Sequence, residues 1–447
     1  MVLPPDCATQ DNLQCKASNA THVLFYKPMT TPSHSYPQMP TGLPDLEPEL
    51  LSHLNAHIDA LRAAMQSQPE GFLPFDQFMQ LCLYAPEWGY YTAGSTKFGS
   101  QTPTGDFTTG PELTPLFGQA VAQQAAQVLE QCVAAGHPPI VLEFGAGTGA
   151  LAAPVIQTLQ VDFPTLQYWI LEISPSLRAR QEAHLQPYMD AGVQVRWLDQ
   201  LPDSFAGCIL ANEVMDAMPV HWVEKNQNEV NEYGVCFDER STGPVPFALT
   251  QRPAEESLAH LALQRLPDID GYRSEINLHA EGWVRVLGDW LTYGAALIID
   301  YGFPQHEYYH SQRHEGTLMC HFRHHAHDQP LIYPGLQDIT AHVDFTALAD
   351  AALEAQLDVY GYINQGAFLL NCGLAQQLEL LHAELGAGTD EELTRQWTHI
   401  AGACQKLLSE SEMGELFKVL AIGKGMQPPL LGFIRGDRRD RLAPPVA

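Results

Sequence analysis

One short stretch, residues 141–151, limits the possible folds of this 447-residue chain more than any other. It reads VLEFGAGTGAL, an apolar run that is followed by glycines at three alternate positions and then by residues suited to a helix. This pattern is typical of a buried strand that turns directly into a helix. Gly145, Gly147 and Gly149 would let the backbone approach a ligand, toward which the first N–H groups of the helix would point.

The letters of this turn fit two classes of ligand. Taken as Gly145-x-Gly147-x-Gly149, they suit a class I methyltransferase that binds S-adenosylmethionine. Taken as Gly145-x-Gly147-x-x-Ala150, they match the dinucleotide fingerprint, in which a pyrophosphate sits at the helix N-terminus. A tight strand–helix turn without any ligand is the third alternative. The turn by itself leaves the choice open.

From residue 140 onward, short runs rich in β-forming residues alternate with helical stretches, which predicts an α/β fold with a parallel sheet. The predicted strands are 140–144, 167–173, 193–198, 208–211, 295–301, 357–363 and 416–425. The predicted helices are 51–65, one within 71–86, 116–128, 150–159, 175–188, 344–353 and 374–409. Residues 219–251 alternate like antiparallel hairpins, whereas residues 303–337 are polar and rich in histidine and are predicted to be irregular. Because the last strand lies near the C-terminus, one sheet with insertions is favoured over two tandem domains.

The charge balance and the cysteines limit the partners and the compartment. The chain has 23 basic and 52 acidic residues, so its net charge of −29 opposes nucleic-acid and anionic-membrane binding and favours a cationic partner. The nine cysteines are scattered without a C-x-x-C pair, which is typical of reduced thiols in a cytoplasmic protein. The N-terminal region lacks a secretory or transit pattern, and no apolar run is long enough to predict a membrane span.

Acidic residues follow the predicted strands at the edge where open α/β sheets bind ligands. Glu172 ends the second strand, where a carboxylate can accept hydrogen bonds from both ribose hydroxyls of NAD or S-adenosylmethionine and would repel the 2′-phosphate of NADP. A solvated acid at a strand end is the alternative. Asp199, just after the third strand, is placed to meet an adenine amino group, and Glu143 in the first strand joins this predicted cofactor set.

The stretch LANEVMDAMPVH, residues 210–221, follows the fourth strand and carries Asn212, Glu213 and Asp216. Its position predicts that Asn212 contacts the cofactor and that Glu213 and Asp216 are catalytic. If the group to be methylated is a guanidinium, carboxylates can bind it bidentately and balance its charge. A helix N-terminus that carries stabilising acids is the alternative.

Several blocks of the chain carry a family resemblance. They are GDFTTGPELTPLFGQ (105–119), LEFGAGTGAL (142–151), LEISPSLRARQ (171–181), LANEVMDAMPVHW (210–222), IIDYGF (298–303), GTLMCHFRHHAHDQPLIYPGLQDITAHVDF (316–345) and MGELFKVLAIGKG (413–425). Together they resemble the MidA-type family of S-adenosylmethionine-dependent methyltransferases, which includes the mitochondrial complex I assembly arginine methyltransferase. The blocks occur in order over roughly residues 50–430, and the N-terminus favours a bacterial member.

The resemblance implies a Rossmann-like, class I methyltransferase sheet of seven strands with an N-terminal helical cap and insertions. The resulting domain map is a poorly ordered tail (1–48), the cap with the GDFTT loop (49–135), and the core (136–447) with insertions at about 219–280, 303–340 and 365–412. The resemblance also implies that the GDFTT loop lies against the cofactor, which adds Asp106, Phe107 and Thr108 to the cofactor site.

The second insertion is rich in histidine. Its imidazoles are His306, His310, His314, His321, His324, His325 and His327. No cysteine or carboxylate pattern at metal-ligand spacing accompanies them beyond Asp328, so we predict no metal and expect this loop to shape the acceptor pocket.

The predicted function is S-adenosylmethionine-dependent methylation of an arginine in a basic segment of a protein partner, with a link to respiratory complex assembly. The alternatives are an assembly factor that binds the cofactor without catalysing, an NAD-linked oxidoreductase, and a methyltransferase with a small-molecule acceptor. The oligomeric state has no signal in the sequence.

Overall fold

The computed structural model describes residues 34–93, 109–241, 243–385 and 391–443. The strands are β1 (Leu73–Pro74), β2 (Ile140–Phe144), β3 (Gln167–Leu171), β4 (Gln194–Leu198), β5 (Phe205–Asn212), β6 (His221–Asn226), β7 (Glu229–Phe237), β8 (Phe247–Pro253), β9 (Tyr272–Ile276), β10 (Leu291–Phe303), β11 (Met319–Phe322), β12 (His325–His327), β13 (Asp338–Thr340), β14 (Val343–Asp344), β15 (Asp358–Asn364) and β16 (Phe417–Lys424). The α-helices are α1 (Pro48–Ser67), α2 (Phe75–Tyr84), α3 (Gly110–Leu113), α4 (Pro115–Ala134), α5 (Ala152–Leu159), α6 (Pro175–Asp190), α7 (Glu256–Arg265), α8 (Leu278–Trp290), α9 (Gln305–Tyr308), α10 (Phe345–Glu354), α11 (Gln365–Asn371), α12 (Leu374–Leu385), α13 (Glu391–Leu408) and α14 (Met413–Leu416).

The central sheet has the strand order β15-β16-β10-β5-β2-β3-β4. The strands from β10 to β4 in this order are parallel to one another, whereas β16 runs antiparallel to both β10 and β15. The short strand β14 adds a parallel pairing at the end of β10. The seven-stranded α/β sheet is therefore confirmed, and the last strand of the chain lies inside the sheet.

Helices cover both faces of this sheet. Successive residues of a strand point to opposite faces, so neighbouring residues of β2 pack against different helices. On one face, Val141 of β2 packs in the same apolar cluster as Phe117 of α4 and Ile156 of α5. On the other face, Leu142 packs in the same cluster as Val284 of α8. The continuous apolar run in β2 follows from this double burial.

Two of the parallel strands are longer than predicted. β5 begins at Phe205 and β10 at Leu291, and both extend through glycines that the sequence pattern places outside the strands. Gly207 and Gly294 lie opposite each other, and a Cβ on Gly294 would lie 1.9 Å from the Gly207 carbonyl oxygen. Glycine weakens a strand pattern, yet here it permits the close approach of the two backbones.

The antiparallel hairpins predicted over 219–251 are present and belong to a second sheet. In that sheet β1, β7, β6 and β9 are consecutive, and β8 pairs with β7. Helices α1 and α2 pack on it through an apolar cluster that includes Leu61, Phe78 and Val235. The N-terminal helices and the first insertion thus share one hydrophobic core.

The second insertion is more regular than predicted. Between β10 and β14 the strands β12, β11 and β13 form a small antiparallel sheet. Cys320, Phe322 and Ile339 of this sheet are buried in the same cluster as α1 and α2. The expectation of an irregular segment was wrong because strands of three or four residues are too short to show a periodicity.

The remaining segments agree to different degrees with the secondary structure that the sequence predicted. Helices α12 and α13 lie within the predicted helical residues 374–409, whereas α11 precedes them and was not predicted. Residues 34–47 belong to the predicted tail, yet Ser35 forms a β-bridge with Leu249, so part of that segment is held on the second sheet. Within the described ranges, we find no helix whose length and apolar character would suit a membrane span.

Candidate active site

The glycine turn lies at the carboxyl end of β2, where the strand order changes direction. From β2 the chain adds β3 and β4 on one side of the sheet, and it then crosses to place β5 on the other side. In open α/β sheets such a switch point leaves a crevice outside the carboxyl ends of the strands, in which ligands bind. The turn after β2 and the residues after β5 therefore border the same crevice.

All three glycines of the turn have left-handed backbone conformations, with φ of +61° at Gly145, +54° at Gly147 and +84° at Gly149. Residues with a Cβ rarely adopt such angles. A Cβ added at Gly147 would meet no atom of the described residues within 4 Å, so this part of the backbone borders open space among them. Helix α5 begins only at Ala152 because the left-handed turn delays it. The turn thus offers bare backbone on which a ligand can pack.

Glu172 follows β3 and is held by two neighbouring donors. Its Oε1 accepts a hydrogen bond from the Ser174 backbone N–H at 2.8 Å, and its Oε2 accepts one from Gln181 Nε2 at 2.9 Å. The first bond turns the chain toward α6, so β3 ends at Leu171 instead of residue 173. Burial raises the pKa of Glu172. Because each carboxylate oxygen can accept a second bond, the group still has capacity for two ligand hydroxyls.

Gln181 joins Glu172 to the glycine turn, and the sequence patterns did not reveal it. Its Nε2 donates to the Gly147 carbonyl at 2.9 Å as well as to Glu172, and its Oε1 accepts from Trp197 Nε1 at 2.9 Å. The available signal was a polar residue one helical turn before the buried Leu185, on the inner face of α6.

The other predicted cofactor residues differ from one another in burial and in their contacts. Glu143 is buried inside β2, accepts a 2.6 Å hydrogen bond from the Tyr168 hydroxyl, and has a pKa that burial raises to about 7. The side chain of Asp199 is 89% exposed and forms an ion pair with Arg178 at 3.0 Å. Three further predicted cofactor residues lie outside the described part of the chain, namely Asp106, Phe107 and Thr108.

Glu213 comes directly after β5 in a left-handed conformation, with φ of +52°. This conformation is uncommon for a residue with a side chain and marks a constrained position. The backbone N–H of Glu213 donates to the Ile299 carbonyl at 2.9 Å, and its Oε1 accepts from Asn212 Nδ2 at 3.2 Å. Burial and the nearby Asp216 raise the pKa of Glu213 to about 8.

Asp216 is buried and uses only one of its two oxygens. Its Oδ2 accepts a 2.5 Å hydrogen bond from the Tyr301 hydroxyl. Its Oδ1 is buried and has no hydrogen-bond partner among the described residues. Burial raises the pKa of Asp216. A buried acceptor without a donor is costly, so this oxygen is a position where a donor group of a substrate would be stabilised.

Asp300 holds the turn that carries Asp216. Its Oδ2 accepts from the N–H groups of Met215 at 3.0 Å and Asp216 at 3.2 Å, and its Oδ1 accepts from the Tyr301 N–H at 2.8 Å. Burial, together with Asp216 and Glu213, raises the pKa of Asp300 well above its usual range. Asp300 and Tyr301 were not predicted as site residues, although IIDYGF brings an acid to the same sheet edge as Glu213.

The N-terminal helices and the second insertion also contribute to this region. The Tyr84 hydroxyl donates to the Ala217 carbonyl at 2.9 Å, and its ring stacks on Tyr91 with centroids 5.5 Å apart. Tyr91 in turn donates to Asp338 Oδ1 at 3.0 Å. Burial, Asp338 and Asp216 raise the pKa of Tyr84, so these groups share one environment.

The seven histidines of the second insertion have different local surroundings. His310 caps a short 3-10 helix, His325 contacts the Arg323 carbonyl at 2.8 Å, and His327 is buried in β12. In the part of the chain that the structure describes, none of the seven belongs to a group of three metal-ligand side chains whose donor atoms lie within 4.8 Å of one another.

Comparison with known proteins identifies close matches for this architecture. Residues 120–363 match the family model described as "Putative S-adenosyl-L-methionine-dependent methyltransferase". A Burkholderia thailandensis protein, whose crystal structure holds S-adenosyl-homocysteine, is 41% identical with a TM-score of 0.78, and the match covers 89% of this chain and 100% of that chain.

Two mitochondrial relatives match at lower identity. "Protein arginine methyltransferase NDUFAF7, mitochondrial" of Danio rerio is 27% identical over 383 residues, with 77% of this chain and 82% of that protein covered. The Drosophila melanogaster "Protein arginine methyltransferase NDUFAF7 homolog, mitochondrial" is 27% identical over 434 residues, with 88% and 94% covered.

These matches decide which cofactor the protein uses. S-adenosyl-homocysteine is what remains of S-adenosylmethionine after methyl transfer, and it is bound in the Burkholderia relative. The open backbone at Gly147 and the spare acceptor capacity of Glu172 fit such a nucleoside ligand. The cofactor is therefore S-adenosylmethionine and not NAD. This chain belongs to the family of S-adenosylmethionine-dependent methyltransferases.

Proposed function

We propose that this protein methylates an arginine side chain of a protein substrate, and that Glu213 and Asp216 bind the guanidinium group. The observation that carries the proposal is the buried Oδ1 of Asp216, which has no hydrogen-bond partner among the described residues and is close to a second carboxyl group after β5. Carboxylates bind a guanidinium through paired hydrogen bonds and balance its charge. Both acids follow a strand next to β2, so the acceptor nitrogen would meet the cofactor in the same crevice.

The electrostatics of the two acids favour a cationic acceptor over a neutral one. Burial raises the pKa of both groups, and the next strongest influence on Glu213 is the charge of Asp216. A guanidinium between them would stabilise both carboxylates and lower both pKa values. The net charge of −29 would also attract a basic segment of a partner protein.

On the cofactor side, Gly145, Gly147 and Gly149 would pack beside the methionine and ribose parts of S-adenosylmethionine. Glu172 would accept the two ribose hydroxyls while Gln181 holds its carboxylate in place.

The assignments of the remaining cofactor residues are less direct. Asn212 would border the reacting end of the cofactor, and Glu143 would support the turn from inside β2. Asp199 would meet the adenine amino group on leaving its exposed ion pair with Arg178. The loop residues Asp106, Phe107 and Thr108 would cover the cofactor.

S-adenosylmethionine supplies a methyl group on a positively charged sulfur when it is bound. The residues of this chain have to align the acceptor nitrogen with that methyl group and take up the proton that the nitrogen loses. The carboxylate of Glu213 or Asp216 can accept this proton, while Tyr301 and Asp300 keep Asp216 in position. An arginine acceptor is consistent with the printed names of the mitochondrial relatives.

The location and the biological context are also proposals. The cysteines of the described residues are free thiols, which supports the cytoplasmic location that their scattered positions predict. A link to respiratory complex assembly rests on the family resemblance alone.

The decisive experiment measures transfer of radiolabelled methyl groups from S-adenosylmethionine to proteins of a lysate. The wild type should label a protein, and acid hydrolysis should release methylarginine. Glu213→Gln should bind S-adenosyl-homocysteine normally in calorimetry and lose transfer by at least roughly 100-fold, whereas Glu354→Gln, at an exposed ion pair, should behave like the wild type.

Three results would contradict the proposal. Release of a methylated residue other than arginine would change the acceptor. Unchanged transfer by Glu213→Gln would remove its catalytic role. Cofactor binding without transfer to any protein or small molecule would identify a non-catalytic assembly factor.

A further inference from the structure

A second group of ionisable side chains has no part in the proposed methyl transfer. Asp76 lies in the first turn of α2, His221 begins β6, and Glu232 lies in β7. The Nδ1 atom of His221 is 3.0 Å from Glu232 Oε1 and 3.8 Å from Asp76 Oδ1. All three donor atoms lie within 4.8 Å of one another.

We propose that Asp76, His221 and Glu232 bind one divalent transition-metal ion of the zinc class, although the sequence predicted no metal. Zinc bonds to nitrogen and oxygen are about 2.0–2.2 Å long, so donor atoms in a tetrahedral site are roughly 3.3–3.6 Å apart. The two distances from His221 lie on either side of this range. One imidazole with two carboxylates favours zinc over calcium or magnesium, which take oxygen ligands.

The Oδ1 atom of Asp76 lies within ion-pair distance of His221 but is not satisfied by a hydrogen bond among the described residues. Asp76 is only 8% exposed, and its Oδ1 is buried without a hydrogen-bond partner in the described part of the chain. The distance of 3.8 Å to His221 Nδ1 is too long for a hydrogen bond. Leaving such an acceptor unsatisfied costs free energy. A cation between the three groups would satisfy the orphaned oxygen and neutralise the two carboxylates together.

Neighbouring residues supply the supports that metal ligands usually have. Arg252 donates to Glu232 Oε2 at 3.1 Å, which fixes the carboxylate and leaves Oε1 directed at His221. His279 Nε2 lies 3.7 Å from Asp76 Oδ2, so this partly exposed imidazole or a water molecule can complete a fourth position.

The site joins separate parts of the fold. Asp76 belongs to the N-terminal helices, whereas His221 and Glu232 belong to the first insertion. Only residues 217–220 separate His221 from Asp216, so an ion here would brace the segment that carries the proposed catalytic acids. We assign the ion a structural role.

The test is zinc binding by the full-length protein after removal of any tag and any bound metal. Calorimetric titration with zinc chloride should show one tight site per chain, and elemental analysis after desalting should find one zinc. Asp76→Asn should weaken binding by more than the roughly 10–100-fold that changes outside the first coordination shell cost. Its affinity for S-adenosyl-homocysteine should match the wild type, which reports an intact fold independently of activity.

The matched control is the double substitution His324→Ala and His325→Ala, which removes two exposed imidazoles of the second insertion. This variant should keep the wild-type zinc affinity. The proposal is overturned if the wild type binds no zinc, if Asp76→Asn binds zinc as tightly as the wild type, or if the control loses the site. If Asp76→Asn fails to bind S-adenosyl-homocysteine, His221→Gln takes its place under the same criteria.

Discussion

The Tyr301 hydroxyl donates a 2.5 Å hydrogen bond to Asp216 Oδ2, and so it connects β10 to the turn after β5. Asp300, the preceding residue of β10, accepts from the backbone N–H of the same Asp216 at 3.2 Å. Two consecutive residues of one strand therefore hold both the side chain and the backbone of a proposed catalytic acid. The other oxygen of Asp216 has no partner among the described residues.

Tyr301→Phe should lower kcat while leaving cofactor affinity nearly unchanged. It removes a hydrogen bond to a carboxylate, which is worth about 1.5–3 kcal/mol, so kcat should fall roughly 10- to 100-fold. Without this donor the pKa of Asp216 should rise further, which would shift the rising limb of the pH–rate profile to higher pH. Steady-state kinetics across pH would measure both effects.

The control for this substitution is Tyr360→Phe, because the Tyr360 hydroxyl also donates to an aspartate, Asp358, at 3.2 Å, but in β15 at the edge of the sheet. Tyr360→Phe should keep the wild-type kcat and pH profile. Equal kcat values for Tyr301→Phe and the wild type would show that Asp216 needs no positioning.

Gln181→Ala should weaken binding of S-adenosyl-homocysteine by roughly 10- to 100-fold, because it removes a donor shared by Gly147 and a carboxylate. The increase in the S-adenosylmethionine KM should exceed the decrease in kcat. The matched control is Gln186→Ala in the same helix, which loses only an exposed hydrogen bond to Asp190. Calorimetry would make the comparison, and equal affinities in both variants would remove the proposed role of Gln181.

Gly147→Ala should lower both the free energy of unfolding, through backbone strain, and the affinity for the cofactor, through lost ligand contact. The φ of +54° should cost about 1–2 kcal/mol of unfolding free energy for a residue with a Cβ. Gly136 offers a control after α4, since it has a φ of +89° and equally open surroundings. Urea unfolding should show similar losses for Gly147→Ala and Gly136→Ala, and only the former should weaken cofactor binding. Normal cofactor affinity in Gly147→Ala would mean that the ligand does not pack on this backbone.

Glu213 should make the fold less stable as the pH rises. Its pKa is raised to about 8 in the folded protein, whereas an unfolded glutamate titrates at about 4.3. The folded state retains a proton that the unfolded state releases, so this stabilisation is present at low pH and is lost as the pH rises from about 4.3 to 8. Glu213→Gln does not titrate, so its unfolding free energy should decline less across this window.

Urea titrations at several pH values would measure this difference. The exposed Glu354→Gln variant should retain the pH dependence of the wild type. Parallel curves for Glu213→Gln and the wild type would show that the pKa of Glu213 is not raised.

The parts of the fold that depend on local order could be predicted from the sequence. The predicted strand 140–144 has the bounds of β2, because an apolar run that ends at a glycine carries both of its limits in its own letters. The hairpins over 219–251 were visible in the same way, through local alternation. Glu213 and Asp216 could be proposed as site residues because parallel strands bring their carboxyl ends to one edge of a sheet.

Only the tertiary structure decided which of these acids meet and what holds them. Tyr301 and Asp216 are 85 residues apart in sequence, and they touch because β10 lies beside β5. Asp76 meets His221 only because α2 packs on the second sheet. The order of strands and the docking of helices depend on how the whole core packs, so no local pattern encodes them. The sequence by itself thus determined the sheet and the glycine turn, while packing determined the partners of each charged group.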